Sequence, residues 1–299
     1  MEFPKSFFEG EERCGYYVTP QMKRLWAVEL EMLQRFSEVC ERHGLRWYAM
    51  GGTLLGAVRH GGFIPWDDDV DLIMPRADYD RLLQLGPQEF REPLFFQTPD
   101  TDPALFLTHV KLRDGRTTGV TREERGRDIH RGIFMDIFVL DEVPASRRAR
   151  ARHRRRTHAI ANRGRHDACW RENANPFKRL LYGLQSLRIM GGRTPSERFA
   201  MFQRECSRYA GSGSPKAAHT ALTYREAVVW ERADWEAWRE VPFENITVRI
   251  PEGYDRILTQ HYGDWRAIPQ RKKGGTSHGE LEFDTETPYT EYFSKSERE

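Results

Sequence analysis

Asp67-Asp68-Asp69-Val70-Asp71 places four carboxylates within five residues. Such crowding raises the energy of the ionised state unless cations, hydrogen-bond donors or retained protons offset it. A divalent metal is the simplest offset. If a strand starts near Asp69, alternation sends Asp69, Asp71 and Ile73 to one face and Val70, Leu72 and Met74 into a core. Two carboxylates then converge at a spacing that suits a shared ion. The competing interpretation is an acidic helix cap or a solvated turn.

Asp136 is the second candidate, because it interrupts the apolar run Ile133-Phe134-Met135-Asp136-Ile137-Phe138-Val139-Leu140. A carboxylate buried there needs a strong partner, either an arginine of this Arg-rich chain or the ion at Asp69 and Asp71. Gly51-Gly52-Thr53 is the third. Glycines before a helix allow close backbone approach, the helix start offers free N–H groups, and a Thr hydroxyl adds a donor, a combination suited to phosphate oxygens. Phosphate cradle, carboxylate pair and a third carboxylate on a later strand together suggest metal-assisted transfer from a nucleoside di- or triphosphate. Lys111 could neutralise phosphate or simply face solvent on an edge strand. Trp66 could stack on a base or a cationic headgroup or simply pack, and His60 and His278 are weaker acid–base candidates. The histidines show no zinc-protease spacing.

These residues need elements to position them. Apolar Met22, Leu25, Trp26, Leu33, Phe36, Val39 and Cys40 recur at helical period between Thr19, a candidate N-cap, and Gly44. Leu45 to Met50 reads as a strand, Thr53 to His60 as a short helix, the acidic run as the entry to a strand, and Arg76 to Leu85 as a helix. Further strands are expected at Ala104 to Leu112 and Gly132 to Leu140. Later, Ile246, Val248 and Ile250 alternate like a strand, and Pro251 opens a helix carrying Tyr254, Ile257, Leu258, His261 and Tyr262. The polar tail after Pro269 reads as loose.

The chain has 299 residues, 36 of them aromatic, with 31% charged residues and a net charge of +2. This excludes a small stapled scaffold and a disordered polymer. No apolar run reaches the roughly 18 residues of a membrane span, and the first residues lack a signal peptide's pattern, so a cytoplasmic protein is expected. Cys14, Cys40, Cys169 and Cys206 show no CxxC spacing, which suits buried, inert thiols. Residues 143–210 carry 17 Lys/Arg against 4 Asp/Glu, so the remainder is net acidic. This basic stretch includes one amphipathic segment, with Phe177, Leu180, Leu181, Leu184, Leu187 and Met190 on a shared face.

The stretch YAMGGTLLGAVRHGGFIPWDDDVDLIM from Tyr48 to Met74 closely resembles the signature of the LicD family, whose relatives include phosphocholine transferases of bacterial surface glycans, fukutin and fukutin-related protein. Phe134-Met135-Asp136-Ile137-Phe138 is similar to the family's later strand. Tyr254 to Trp265, ending Tyr262-Gly263-Asp264-Trp265, is similar to its final helix and turn. The resemblance covers about Met22 to Asp141 well and 243–265 loosely. It implies an α+β nucleotidyltransferase-like fold, a mixed β-sheet flanked by helices, here with a helical basic insertion. The division expected is a catalytic core over 1–142, the insertion over 143–215, a C-terminal part packing on the core over 216–270 and a polar tail over 271–299.

The implied activity is transfer of a phospho-alcohol such as phosphocholine from a CDP-alcohol donor to a hydroxyl of a surface glycan or lipid-linked saccharide (lipopolysaccharide or teichoic acid), releasing CMP. Carried onto this chain, Asp69, Asp71 and Asp136 would hold Mg2+ or Mn2+, Gly51, Gly52 and Thr53 would cradle the donor phosphates, and Arg59 would add positive charge, beside the separate candidate Lys111. The ligand register stays open between Asp67/Asp69 and Asp69/Asp71. The alternatives are a nucleotidyltransferase that releases pyrophosphate and, from the run RRARARHRRR at Arg147 to Arg156, a nucleic-acid binder. The net-acidic remainder and the lack of interleaved aromatics speak against nucleic acid. A peripheral contact between the basic region and an anionic membrane face is compatible with a lipid-linked acceptor.

Overall fold

The computed structural model describes residues 1–169, 193–220, 224–269 and 281–296, together with Pro176, Phe177, Leu180 and Leu184. Its helices and mixed sheet place it in the α+β class. It forms two units, one of Met1–Phe96, Lys111–Ile137 and Ala233–Glu299, the other of Gln97–Val110 and Phe138–Arg232. The boundary thus falls within the Ile133–Val143 strand, whereas the sequence suggested a division at 142.

In the first unit the helix Pro20–Arg42 begins as its sequence requires. Thr19 is extended, its Oγ accepts the Met22 N–H at 3.1 Å, and Pro20 occupies the first turn, where a missing N–H costs nothing. Its buried face carries Trp26, stacked on Phe63 at 4.7 Å, and Phe36, edge-on to Trp47 at 5.8 Å. Burial of these large side chains drives the packing of this helix.

Tyr48–Ala49 is a two-residue strand antiparallel to Asp71–Pro75, with Tyr48 opposite Ile73 and Ala49 opposite Leu72. Asp71–Pro75 neighbours Ile133–Val143, which in turn pairs with Val110–Asp114, and that strand pairs with Leu94–Gln97. Helices Gly51–His60 and Arg76–Glu89 flank the acidic strand in sequence. The later residues add a hairpin, Trp238–Phe243 with Ile246–Pro251, and the helix Tyr254–Tyr262, which starts after Gly253 rather than at Pro251. The expected strand from Ala104 begins only at Val110.

Part of the supposedly loose tail is ordered. Glu282–Asp284 pairs antiparallel with Thr118–Val120, and Tyr289–Ser296 is a helix. Its alternating and helical segments are too short for composition to reveal, and the pairing partner lies far away in the chain.

In the second unit Leu140–Val143 pairs antiparallel with Lys216–His219, which pairs with Val229–Glu231. Helices Arg147–Cys169 and Pro195–Cys206 pack through Ala161, Phe202 and Cys206, with Ile160 alongside. Most of the Phe177–Met190 apolar face and His278 lie outside the described residues.

Candidate active site

The site is built within the first unit, where the Tyr48–Ala49 strand delivers the chain to Gly51. Gly51 has φ of 58°, a left-handed conformation that costs an L side chain about 1 kcal/mol or more. A Cβ there would also stand 3.1 Å from Asp71 Oδ2, and a Cβ on Gly52 would collide with Asp67 Oδ2. The two glycines therefore admit carboxylates against the start of the Gly51–His60 helix, whose free N–H groups and dipole favour negative charge. Thr53 turns inward, and its Oγ accepts the Asp71 N–H at 2.8 Å. The Met50 N–H donates to the Asp71 carbonyl at 3.0 Å. The turn predicted to cradle phosphate thus also fixes the acidic strand.

The acidic loop is held from the other side by Trp26, whose indole N–H donates to the Asp67 carbonyl at 2.9 Å. Asp67 and Asp68 are buried, Asp69 half-buried, and oxygens of all three lie within 4.8 Å of one another. Oxygens bound to one hard divalent ion at about 2.0–2.6 Å stand at most about 5 Å apart, so the spacing fits such an ion. An all-carboxylate donor set suits magnesium, manganese or calcium over softer metals.

Asp71 opens its strand next to this cluster. Burial holds its carboxyl well above the ordinary range, reinforced by Asp69, Asp136 and Asp67, while Lys111 acts in the opposite sense. Asp136 lies on the adjacent strand, its N–H donating to the Val70 carbonyl at 2.9 Å. Its strong partner is Lys111, with Nζ 2.8 Å from Asp136 Oδ1. The same ammonium sits 3.4 Å from the centre of the Phe134 ring. Lys111 is therefore a buried counter-charge among the acids, not an edge-strand lysine facing solvent.

Arg59 is placed differently from the rest. It donates to the Trp265 and Ala267 carbonyls at 2.9 and 3.2 Å and to His60 Nε2 at 2.9 Å, fastening the end of its helix to the turn after Tyr262. His60 is pushed down to about 4 by burial and by Arg59 and Arg13. Trp66 is buried and packs edge-on to Tyr16 at 5.8 Å.

Sequence reasoning missed two groups. The Tyr262 phenol is pushed up by burial and by Asp71, Asp67 and Asp69, which brings the Tyr254–Tyr262 helix into the field of the acids. Glu29 is buried on the Pro20–Arg42 helix, and neither carboxylate oxygen has a hydrogen-bond partner. Desolvation, then Asp69, Asp68, Asp67 and Asp71, push its pKa well up. The signal was available, since 29 follows Met22, Trp26 and precedes Leu33 and Phe36 on the apolar face.

Residues 44–161 match the family described as LicD/FKTN/FKRP, nucleotidyltransferase domain. The chain is 28% identical over 265 residues to the lipopolysaccharide cholinephosphotransferase LicD of Haemophilus influenzae, covering 83% of this chain and 92% of that protein. It is 62% identical to human ribitol 5-phosphate transferase FKRP over 34 residues, 11% of this chain and 7% of that one. A stretch of 123 residues, 39% of this chain, is 27% identical to 10% of the yeast mannosyltransferase regulator 4. With the acidic strand, the glycine turn and the Asp136 strand assembled in one unit, residues 44–161 carry the match to the LicD/FKTN/FKRP nucleotidyltransferase domain, and the chain is similar over most of its length to a LicD-type transferase.

Proposed function

We propose that this protein transfers a phospho-alcohol, phosphocholine or a relative, from a CDP-activated donor to a hydroxyl of a surface glycan or lipid-linked saccharide, releasing CMP. The observation that carries this reading is Asp71 held against the Gly51-Gly52-Thr53 helix start, with Asp136 and its partner Lys111 on the adjacent strands and the Asp67–Asp69 carboxylates clustered just before Asp71. Similarity to a cholinephosphotransferase over most of both chains supports the choice of transferred group.

Asp69, Asp71 and Asp136 would hold Mg2+ or Mn2+, which when bound supplies Lewis-acid neutralisation of the donor phosphates. The chain's own contribution is positional. Thr53 holds the backbone of Asp71, and Lys111 holds the carboxylate of Asp136 while supplying positive charge beside the phosphates. Tyr262 and the Arg59-fastened turn border the site from the end of the Tyr254–Tyr262 helix.

The test is incubation of the purified protein and Mg2+ or Mn2+ with CDP-alcohols and nucleoside triphosphates in separate reactions, each with a saccharide acceptor. CMP release dependent on CDP-alcohol and acceptor is expected. Pyrophosphate release from a triphosphate would instead assign nucleotidyl transfer.

A further inference from the structure

Glu244 follows Phe243 in the turn between Trp238–Phe243 and Ile246–Pro251 and has φ of 51°, a left-handed conformation that glycine or asparagine usually occupies. Its side chain, 8% exposed, pairs with both terminal nitrogens of Arg13, and Oε1 also accepts the Phe63 N–H at 3.1 Å. The Glu244 N–H donates to the Gly61 carbonyl at 2.8 Å. A Cβ on Gly62 would collide with Glu244 Oε1, so that glycine admits the carboxylate. One residue of the hairpin thus grips both sides of Gly62, where the Gly51–His60 helix gives way to the stretch leading to Asp67. Trp26 fixes the other end, stacking on Phe63 at 4.7 Å and donating to the Asp67 carbonyl at 2.9 Å. Arg13 joins the two holds, because its guanidinium lies 5.3 Å from the centre of the Trp26 ring while it pairs with Glu244.

We infer that Glu244, directed by Arg13, is a positioning residue for the acidic run: it sets how Asp67 to Asp71 stand against the start of the Gly51–His60 helix. Only Ile64, Pro65 and Trp66 separate the anchored Phe63 N–H from the anchored Asp67. Proline has a locked φ, and the Asp67 N–H closes this stretch onto the Ile64 carbonyl at 2.9 Å. A shift at Phe63 is therefore passed on to Asp67 rather than absorbed. The charge-assisted pair with Arg13 is stronger than a neutral hydrogen bond and keeps the Glu244 carboxylate aimed at Phe63. Glu244 acts through the backbone, on the geometry with which the carboxylates receive a divalent ion. The inference rests on the reading that this run binds such an ion, but not on which group the enzyme transfers.

Manganese affinity by electron paramagnetic resonance, without substrate, tests it alongside turnover and thermal unfolding. At temperatures where both proteins are folded, Glu244→Ala should bind manganese about 10-fold more weakly than wild type and lower kcat by about 10- to 100-fold, the scale of a misplacement near 1 Å. Glu244→Gln, whose amide oxygen can still accept the Phe63 N–H, should lie between the two. A role in stability alone would lower Tm and leave the manganese affinity of the folded protein unchanged, and that result overturns the inference. If Glu244→Ala does not fold, Arg13→Met and Glu244→Gln decide. Each breaks the ion pair while leaving an acceptor for Phe63, so affinity should again fall, and unchanged affinity in both overturns the inference. A wild type that binds no manganese overturns it as well. Manganese binding without CMP release from any CDP-alcohol would overturn the proposed transfer alone, and the affinity series would still support or overturn the role of Glu244.

Discussion

A carboxylate and its amide differ little in volume, so Asp69→Asn, Asp71→Asn and Asp136→Asn test charge with packing held nearly constant. Each should lower kcat by about 100-fold or more, the scale of losing a charge-stabilising group, with the circular dichroism spectrum unchanged. Near-normal turnover in all three would remove the basis of the proposed mechanism. Thr53 has a different job. Its hydroxyl accepts the Asp71 N–H at 2.8 Å, so Thr53→Ala should cost about 1 kcal/mol of stability and reduce kcat less than tenfold, as denaturant titration and steady-state assay would show. Gly52→Ala should be worse than Thr53→Ala in the same assay, because the added Cβ would drive Asp67 from the helix start.

At the scale of elements, the strand Thr118–Val120 and its partner Glu282–Asp284 bring His130 and Tyr289 together in the first unit. His130 stacks on Phe95 with ring centres 4.5 Å apart, and its Nδ1 accepts the Gly132 N–H at 3.3 Å, which requires that nitrogen to be unprotonated. Burial, then Arg113, pushes its pKa down to about 4. The unfolded chain, with an ordinary value near 6.5, binds more protons than the folded one between those limits. Stability from this group is therefore complete above pH 6.5 and falls as pH drops toward 4. His60 has the same sign. Thermal unfolding from pH 7 to pH 4 should show this decline, and His130→Phe, which keeps the stacking surface, should flatten it. An unchanged slope would mean that other groups carry the acid sensitivity.

On the scale of the whole molecule, the charge asymmetry of the sequence acquires a place. In the helix Arg147–Cys169, Arg150 and His153 turn inward, and Arg150 donates to the Pro144 carbonyl at 2.9 Å and pairs with Glu226 at 3.1 Å. Arg148, Arg152, Arg155 and Arg156 are exposed and share a face by helical spacing. No acidic partner meets these four among the described residues. Phe177, Leu180 and Leu184 are exposed as well. No helix of the described residues is long and apolar enough to cross a membrane. An arginine face attracts anionic lipid at about 1 kcal/mol per residue, within a Debye length of about 8 Å at physiological salt. The protein should sediment with phosphatidylglycerol vesicles at low salt and be released at high salt. Replacing the four arginines with Gln should abolish this without changing turnover of a soluble acceptor. Failure of wild type to sediment at low salt would end the membrane interpretation.

Local rules sufficed wherever the determinant was local. The Thr19-Pro20 start, the apolar face of the first helix, the glycine turn and the acidic strand were all legible, because capping, periodicity and alternation act over a few residues. The dense motif from Tyr48 to Met74 likewise carried the family. Only tertiary structure could decide what opposes what. It paired Asp136 with Lys111 where sequence left an arginine or an ion open, turned Arg59 to the Trp265 and Ala267 carbonyls, and set Tyr262 in the field of the acids. It also ordered Glu282–Asp284 against Thr118–Val120. Each of these depends on chain segments distant in sequence, whose encounter is selected by burial and sheet pairing and leaves no periodic trace in either segment alone. Glu29 stands between the two cases. Its place on the apolar face was written in the helical period, but the carboxylates whose field raises its pKa belong to a segment whose position only the folded chain determines.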